Sequence, residues 1–440
     1  MKKQRFDAHC HIFTVDYLLD EGRDMIRDIG SHKYPFHKPA ADFIAKISRT
    51  TGTDSEKSKT GEIDWKSVLN VLCWLFEILH AAKTSEAENL DFLQYEAKLA
   101  YPGCDSRIIP LMMDIFYILA YPLDKGENVP AAEAMLVERE SVTVDQETED
   151  AWDKVLDGFV DYIKSKQNDA TAESSLAEAA IKAVESRRGV GKSLQSRKAV
   201  VEGGYSSGFG FYPTTGFCNH MDALMELVAT RTDELYPFVA IDPRRPGIVK
   251  DLCSGAFFTG EKKFYGVKLY PRLGFHPECK PMESVYEFCN KNNLPITFHC
   301  GKGGFPPTTE WPYTEFGNPA NFENVVKTYP DLRIDFAHMG SSDPTFKWAD
   351  EVARLVEAYD NVYTDLSCYT DLDELTRMKQ YWDKSEKLRE RLMFGTDFDV
   401  VYFTKIITLA KYYDNFKTVF SKEDMTVMTS DTPRKFLGLE

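Results

Sequence analysis

The residues with the clearest chemical potential lie at the start of the chain, where residues 7 to 11 read Asp-Ala-His-Cys-His. They fall in a short apolar run that predicts a β-strand, and alternate side chains of a strand point to the same face. We therefore expect Asp7, His9 and His11 to share one face. Two imidazoles placed in this way form a chelating pair for a borderline metal such as zinc. Chance alone could produce one such pair, so the interpretation depends on whether distant segments of the chain supply further ligands.

Three later apolar runs also end in residues that can bind a metal. The runs that begin at residues 294, 332 and 392 end in His299, His338 and Asp397, and turn residues follow each of them. Polar residues at the carboxyl ends of several strands are typical of the site of a (β/α)8 barrel. Each residue alone is most simply an ordinary polar side chain, but the set as a whole predicts a metal site.

Eight segments have the composition of β-strands, and helical segments alternate with them from the third strand onward. This alternation indicates parallel strands joined by right-handed crossovers, so the predicted fold class is α/β, a (β/α)8 TIM-type barrel. The predicted strands are 5–13, 107–116, 236–242, 264–271, 294–300, 332–338, 361–367 and 392–397. The predicted crossover helices are 86–101, 218–235, 281–293, 319–329, 345–359 and 372–391.

The chain is much longer than a barrel requires. A barrel takes about 250 residues, whereas this chain has 440. The excess falls after the first and second strands, at about 14–85 and 118–216, and the second segment contains the predicted polar helices 148–166 and 172–187. An insertion between a strand and its helix emerges at the carboxyl end of a barrel. We therefore predict one barrel over residues 1–440 with two helical caps above the site; a peripheral decoration is the alternative.

The net charge and the cysteine pattern indicate which partners and which cellular compartment to expect for this protein. The net charge of −16 argues against nucleic acid or an anionic membrane as a partner. Nine scattered cysteines without a Cys-x-x-Cys pair indicate reduced thiols and a cytoplasmic protein. No apolar signal core follows the basic amino terminus, and the apolar runs 68–79 and 108–123 are too short and too interrupted to span a membrane. We expect a small-molecule substrate, and the apolar helix 66–80 could belong to the core or to a homo-oligomer interface.

The pattern resembles the amidohydrolase superfamily of metal-dependent barrel enzymes. The resemblance rests on the order and strand-end placement of Asp7-x-His9-x-His11, Lys268 within residues 266–271, His299, His338 and Asp397. Within the superfamily, the chain is most similar to the amidohydrolase-related branch that includes aminocarboxymuconate-semialdehyde decarboxylase. The resemblance covers the first strand and residues 236–440, and it does not extend to the insertions.

The resemblance implies a metal centre and its chemistry. It implies that one divalent ion, zinc first, is held by four ligands, which are His9, His11, His299 and Asp397. Iron, manganese or nickel would also suit this donor set. A metal of this kind activates a water near neutral pH. The resemblance also gives Asp397 the role of proton shuttle. His338 is expected beside the metal as an acid/base group or, alternatively, as a structural hydrogen-bonding partner, and Asp7 is expected to orient an imidazole or to be a buried polar partner.

Lys268 leaves two possibilities open. Superfamily members with two metals use a carboxylated lysine at this strand as a bridge, whereas a free lysine could neutralise a substrate carboxylate. We favour the free lysine and one metal. Tyr270 and Arg272 follow on the same face and are candidates to bind the substrate. Arg244 and Arg245, after the third strand, could bind a carboxylate, although structural ion pairs are the simpler interpretation for each of them.

Two enzyme functions use these same residues. The first is hydrolysis of an amide, lactone or ester carbonyl by a metal-activated water. The alternative is non-oxidative decarboxylation of a carboxylic acid. A non-catalytic metal-binding barrel is the least favoured interpretation, because every predicted ligand position is occupied by a suitable residue.

Overall fold

The computed structural model describes residues 3–30, 85–129, 146–167, 181, 184, 204–305, 309–398 and 407–439. The predicted helix 66–80, nearly all of the predicted helix 172–187 and large parts of both predicted caps lie outside these residues. Within the described ranges, no helix combines the length and the apolar character needed to cross a membrane.

The described chain alternates parallel strands with helices. The strands are β1 (Gln4–Cys10), β2 (Asp105–Pro110), β3 (Phe238–Ala240), β4 (Gly266–Leu269), β5 (Ile296–His299), β6 (Ile334–Ala337), β7 (Val362–Asp365) and β8 (Leu392–Met393). β1 and β2 form one parallel sheet, and β3 to β8 form a second parallel sheet in chain order. All eight predicted strands exist, although each is shorter than its predicted range.

Backbone hydrogen bonds link the two sheets at both sides. Met112 N donates to Phe238 O at 3.1 Å, next to the start of β3. On the other side, Ala8 N in β1 donates to Phe394 O at 2.9 Å, directly after β8. The carboxyl ends of the parallel strands consequently lie at one edge, where the residues that come after each strand can meet.

Helices separate the strands from β3 onward and cover the sheet. The helices are α1 (Val15–Gly30), α2 (Glu86–Ala100), α3 (Gln146–Gln167), α4 (Thr215–Thr230), α5 (Ile248–Ser254), α6 (Lys280–Lys291), α7 (Glu323–Thr328), α8 (Lys347–Ala358), α9 (Leu372–Lys384), α10 (Glu386–Arg389), α11 (Leu409–Val419), α12 (Lys422–Thr426) and α13 (Thr432–Leu437). α2 begins where the sequence predicts it, because the Ser85 side chain caps the backbone N–H of Glu88. Helices α1 and α3 fall within the predicted insertions, whose role as caps stays a prediction.

The strand residues are buried because helices or strands cover both faces of the sheet. All four residues of β4, β5, β6 and β7 are buried, as expected for parallel strands in an α/β protein. One large apolar cluster joins these strands to the helices, and the stacked rings of Phe298 and Phe322, 3.6 Å between centroids, lie within it. Polar side chains buried in such apolar surroundings require hydrogen-bond or charge partners. Two arginines after β3 have such partners.

Arg244 and Arg245 form buried ion pairs rather than a substrate site. Arg244 donates to both carboxylate oxygens of Asp242, at 2.9 and 2.6 Å. Arg245 donates to both oxygens of Asp114, at 2.6 and 2.8 Å, and its side chain is fully buried. The structural interpretation of these two residues is therefore the correct one, and they fix the loop after β3.

We predict that Arg245→Met destabilises the protein by about 3–5 kcal/mol, because it leaves the buried carboxylate of Asp114 without its cation. The matched control is Arg231→Met, which removes an exposed pair with Asp91 and should cost no more than about 1 kcal/mol. Urea unfolding followed by circular dichroism measures both. Equal effects of the two variants would contradict this account of the buried pair.

Candidate metal centre

The site begins with the two histidines of the amino-terminal motif. His9 lies in β1 and His11 comes directly after that strand, and both side chains are buried. Their Nε2 atoms lie 3.7 and 3.4 Å from Oδ1 of Asp397, which lies beyond the end of β8. Residues from opposite ends of the chain thus place two imidazole nitrogens and one carboxylate oxygen around a common point.

Asp397 is held in place by its backbone. Its N–H donates to His9 O at 2.7 Å, and its φ of 47° lies in the left-handed region that non-glycine residues seldom adopt. Burial raises the pKa of its carboxyl to about 6. Within the described chain, Oδ1 has no hydrogen-bond partner although it is buried. A buried carboxylate oxygen without a donor is costly unless something else compensates it.

Asp7 connects the segment before Asp397 to the backbone of His9. Its Oδ1 accepts hydrogen bonds from Thr396 N at 2.9 Å and from His9 N at 3.3 Å, and its Oδ2 accepts from Thr396 Oγ1 at 2.6 Å. Of the two predicted roles, the structure supports that of a buried polar partner, because Asp7 binds backbone and hydroxyl groups and leaves the imidazole to another carboxylate. Burial raises its pKa to about 7.

Asp365, at the end of β7, is the carboxylate that orients His9. Its Oδ2 lies 2.8 Å from His9 Nδ1, and its Oδ1 accepts from His338 N at 3.0 Å and from Ser367 N at 2.9 Å. A carboxylate on Nδ1 fixes the tautomer that leaves Nε2 free to bind a metal. Sequence reasoning missed Asp365, although it ends an apolar run just as His299 and Asp397 do.

His338 comes directly after β6 and completes a compact cluster. Ligand atoms of His9, His338 and Asp397 all lie within 4.8 Å of one another, and all three residues are buried. His338 Nδ1 lies 2.7 Å from Ser367 Oγ, and its Nε2 lies 3.1 Å from His299 Nδ1. His338 therefore lies between the amino-terminal histidines and the histidine of β5.

His299 lies at the side of this cluster. Its Nε2 is 2.9 Å from the carbonyl oxygen of Gly303, an arrangement in which Nε2 donates. Nδ1 then carries the lone pair of the ring, and it accepts a hydrogen bond from His338 Nε2 at 3.1 Å. His299 is adjacent to the predicted centre, and its place among the metal ligands stays a prediction.

Cys368 contacts the same carboxylate and was also missed. Its thiol donates to Asp397 Oδ2. Burial raises the pKa of this thiol well above its usual value, so that the proton stays on sulfur and is available to the carboxylate. The sequence places Cys368 after β7 without any feature that separates it from an ordinary core cysteine.

Lys268 of β4 also lies at the site. Its Nζ lies 3.4 Å from His9 Nε2, and the residue is 2% exposed. Burial lowers its pKa to about 8, while the charges of Asp397 and Asp365 act in the opposite direction. A second possible ion-binding group, formed by His9, Asp335 and Asp365, lies next to it. Lys268 thus supplies a positive charge among several carboxyl groups.

Tyr270 and Arg272 hold the segment after β5. The hydroxyl of Tyr270 accepts a hydrogen bond from Phe305 N at 2.7 Å. Arg272 donates to Gly303 O at 3.0 Å and to Thr314 Oγ1 at 3.1 Å. Tyr270 also packs edge-on against the His299 ring, at 4.2 Å between centroids, so these two side chains connect the segment to the site. Their contact with a substrate stays a prediction.

The donors around Asp397 fit a divalent cation. Burial lowers the pKa of His9 well below its usual value and that of His11 to about 3, so both rings are neutral, as metal binding requires. Two ligands at 2.0–2.1 Å from a tetrahedral zinc ion lie about 3.3 Å apart. The distances from Asp397 Oδ1 to the two Nε2 atoms, 3.7 and 3.4 Å, are close to this value.

Comparison with solved structures finds remote similarity. An uncharacterised TIM-barrel protein from Bordetella bronchiseptica is 18% identical, with a TM-score of 0.38 over 49% of this chain and 70% of its own. A probable 2-pyrone-4,6-dicarboxylic acid hydrolase from Acinetobacter baumannii is 12% identical, with a TM-score of 0.38 over 49% and 78%. A 5-carboxyvanillate decarboxylase from Novosphingobium aromaticivorans with bound manganese is 13% identical, with a TM-score of 0.36 over 50% and 70%. At these scores the similarity carries no argument about function.

A sequence family provides the firmer comparison. No curated protein matches the chain. The family model described as "Amidohydrolase" matches residues 210–439, which is more than half of the 440 residues. The matched segment contains β3 to β8 and, with them, Lys268, His299, His338 and Asp397. The superfamily resemblance inferred from the sequence is confirmed, and the chain belongs to the amidohydrolase family.

Proposed function

We propose that this protein is a metal-dependent hydrolase that acts on an amide, lactone or ester carbonyl. The observation that carries the proposal is the buried, unpartnered Oδ1 of Asp397, which lies 3.7 and 3.4 Å from Nε2 of His9 and His11. Neutral imidazoles and a carboxylate without a donor form a binding site for a cation. Family membership supports an enzyme that uses such a site.

We assign the metal to His9, His11, His299 and Asp397, with zinc as the first candidate. When bound, a divalent ion supplies Lewis acidity and brings the pKa of a water to about 7. Asp397 would take up and release the proton of that water, which is the role that the family resemblance gives it. His338 would act as the acid/base group toward the substrate, since Asp365 and Ser367 fix its position.

One metal ion, rather than two, is the better proposal for this site. With a pKa near 8, Lys268 is largely cationic at neutral pH, and it lies where a second cation would have to contact His9, Asp335 and Asp365. A cationic amine neutralises that group of carboxyls without a second ion. A carboxylated Lys268 between two ions is the opposite arrangement, and the metal content distinguishes the two.

Decarboxylation is the second candidate, because Lys268 and Arg272 are buried cations beside the proposed centre. Either could bind a substrate carboxylate. The two reactions differ in their products. Incubation with acyl substrates and with aromatic carboxylic acids, followed by product identification, separates a hydrolysed carbonyl from released carbon dioxide. A non-catalytic role would require that neither product forms.

We further propose that the eight strands close into a barrel, which the hydrogen bond from Ala8 N to Phe394 O supports. The helical segments after β1 and β2 would then cover the carboxyl end, where the site lies. A cytoplasmic location and a small-molecule substrate remain part of the proposal. Possible assembly into a homo-oligomer also remains part of it.

The first prediction concerns metal content. The purified protein should bind about one divalent ion per chain, and the His9→Ala, His11→Ala double variant should lose it while remaining folded. Elemental analysis with circular dichroism measures both properties. His276→Ala, a half-buried histidine outside the site, is the control and should retain the ion. A wild-type protein without metal after zinc or manganese supplementation would contradict the proposal, and two ions per chain would favour a carboxylated Lys268.

The second prediction concerns Asp365. Asp365→Asn should weaken metal binding by about 10- to 100-fold, because the amide no longer holds His9 in the correct tautomer. Competition with a chromophoric chelator measures the affinity. Asp360→Asn, which removes an exposed carboxylate from a surface pair with Lys387, is the matched control and should leave the affinity unchanged. An unaltered affinity in Asp365→Asn would show that the carboxylate does not orient a ligand.

The third prediction separates His338 from the metal ligands. His338→Asn should keep the metal and lower kcat by about 10²- to 10⁴-fold, the usual contribution of a general acid or base. Asp397→Asn should lower kcat as well and should also weaken metal binding. Steady-state kinetics, on a substrate identified by its product, and metal analysis of the same samples measure these effects. A His338→Asn variant with full kcat and bound metal would assign His338 a structural role.

A further inference from the structure

A cavity of about 600 Å³ lies at the amino ends of β1 and β2, at the opposite end of β1 from His9. Its volume lies in the range of sites for small organic ligands. Four basic residues contribute to its wall, and no acidic residue of the described chain does. The basic residues are Lys3, Arg5, Lys417 and Lys422. The chain as a whole has a net charge of −16. A cavity wall whose charged residues are all basic therefore differs from the rest of the protein and suits an anionic ligand.

Two buried polar groups in this wall lack partners. Arg5 is 8% exposed, its Nη1 donates to Met425 O and to Thr429 Oγ1, and its Nη2 donates to Thr426 Oγ1. Its Nε has no hydrogen-bond partner among the described residues, and the same holds for the hydroxyl of Tyr101. Both residues line the cavity. A buried N–H and a buried hydroxyl without partners are costly.

The cations are held in place around an aromatic ring. The guanidinium carbon of Arg5 lies 5.2 Å from the centre of the Tyr101 ring, and Lys417 Nζ lies 5.0 Å from it. Lys417 also donates to Ala100 O at 2.6 Å. Lys3 and Lys422, in contrast, are exposed at the rim. Two acidic residues follow Lys422 in α12. Glu423 is exposed and does not line the cavity, and Asp424 Oδ1 accepts from Trp382 Nε1 at 3.1 Å.

Apolar side chains form the remainder of the wall. Phe420 and Met425 lie in it beside Tyr101, so the cavity offers an apolar surface next to its cations. A single carboxylate would neutralise only part of this charge, whereas a phosphate monoester carries nearly two negative charges and three acceptor oxygens. We propose that this cavity binds a small organic phosphate, with the phosphate between the basic side chains and an apolar group against Phe420 and Met425. The proposal is independent of the metal centre and of the reaction catalysed there.

Titration calorimetry of the full chain in phosphate-free buffer tests this proposal. The probes are phenyl phosphate, inorganic phosphate and benzoate. Phenyl phosphate should bind most tightly, inorganic phosphate more weakly because it lacks the apolar group, and benzoate about tenfold or more weakly because it carries one charge. Binding should also weaken as salt is added. Absence of saturable binding by phenyl phosphate, or equal binding of benzoate, would overturn the proposal.

Variants then locate the site. Lys3→Gln with Lys422→Gln should weaken phenyl phosphate binding by about tenfold, and Lys417→Gln should weaken it by about three- to tenfold. Lys250→Gln, which removes an exposed charge from α5 outside this wall, is the matched control and should bind as the wild type does. Melting temperatures verify that each variant is folded. Wild-type affinity in both cavity variants would place the bound anion elsewhere and refute the assignment.

Discussion

The hydrogen bonds of Asp7 connect the two ends of the chain, and the proposed metal centre depends on them. Its carboxylate accepts from Thr396, 389 residues away in the sequence, and from the backbone of His9. The next residue, Asp397, donates its own N–H to His9 O. β8 is thereby fixed against β1, and the carboxylate of Asp397 is brought to the two imidazoles. Without this connection, the ligands would belong to separate strands with no common point.

Burial gives the site its chemical character. It keeps the imidazoles of His9, His11 and His338 neutral and raises the pKa of Asp397. The backbone contributes strain as well. Of the eight non-glycine residues with positive φ in the described chain, four lie at or beside the site, namely His338, Met339, Cys368 and Asp397. Such conformations cost about 1–3 kcal/mol each, and they persist where the surroundings determine them fully.

The sequence predicts the strand-end residues well because each one interrupts an apolar run. His299 is the last residue of β5, His338 comes directly after β6, and Asp397 lies beyond the end of β8. Asp365 also ends an apolar run, but the sequence does not indicate its role. That role depends on a 2.8 Å distance to the imidazole of His9, 356 residues earlier. Cys368 could not be found, since no pattern distinguishes it from a core cysteine. The ion pair of Arg245 likewise depends on Asp114, 131 residues earlier, whereas the partner of Arg244, Asp242, lies only two residues away in the sequence.

β1 carries polar residues of opposite charge preference along its length, and the strand separates them by position. Arg5 and Asp7 alternate along Gln4–Cys10, and the register of β1 against β2 shifts between Asp7 and Cys10, where His9 lies. Arg5, near the amino end, donates to Met425 O in α12 and to Thr429 Oγ1 in the helical segment after it, whereas His9 belongs to the carboxyl end. Asp7 lies between them and binds the chain after β8. One short strand therefore contributes to the proposed phosphate-binding cavity at its amino end and to the proposed metal centre at its carboxyl end, and the carboxylate of Asp7 between them is engaged by Thr396.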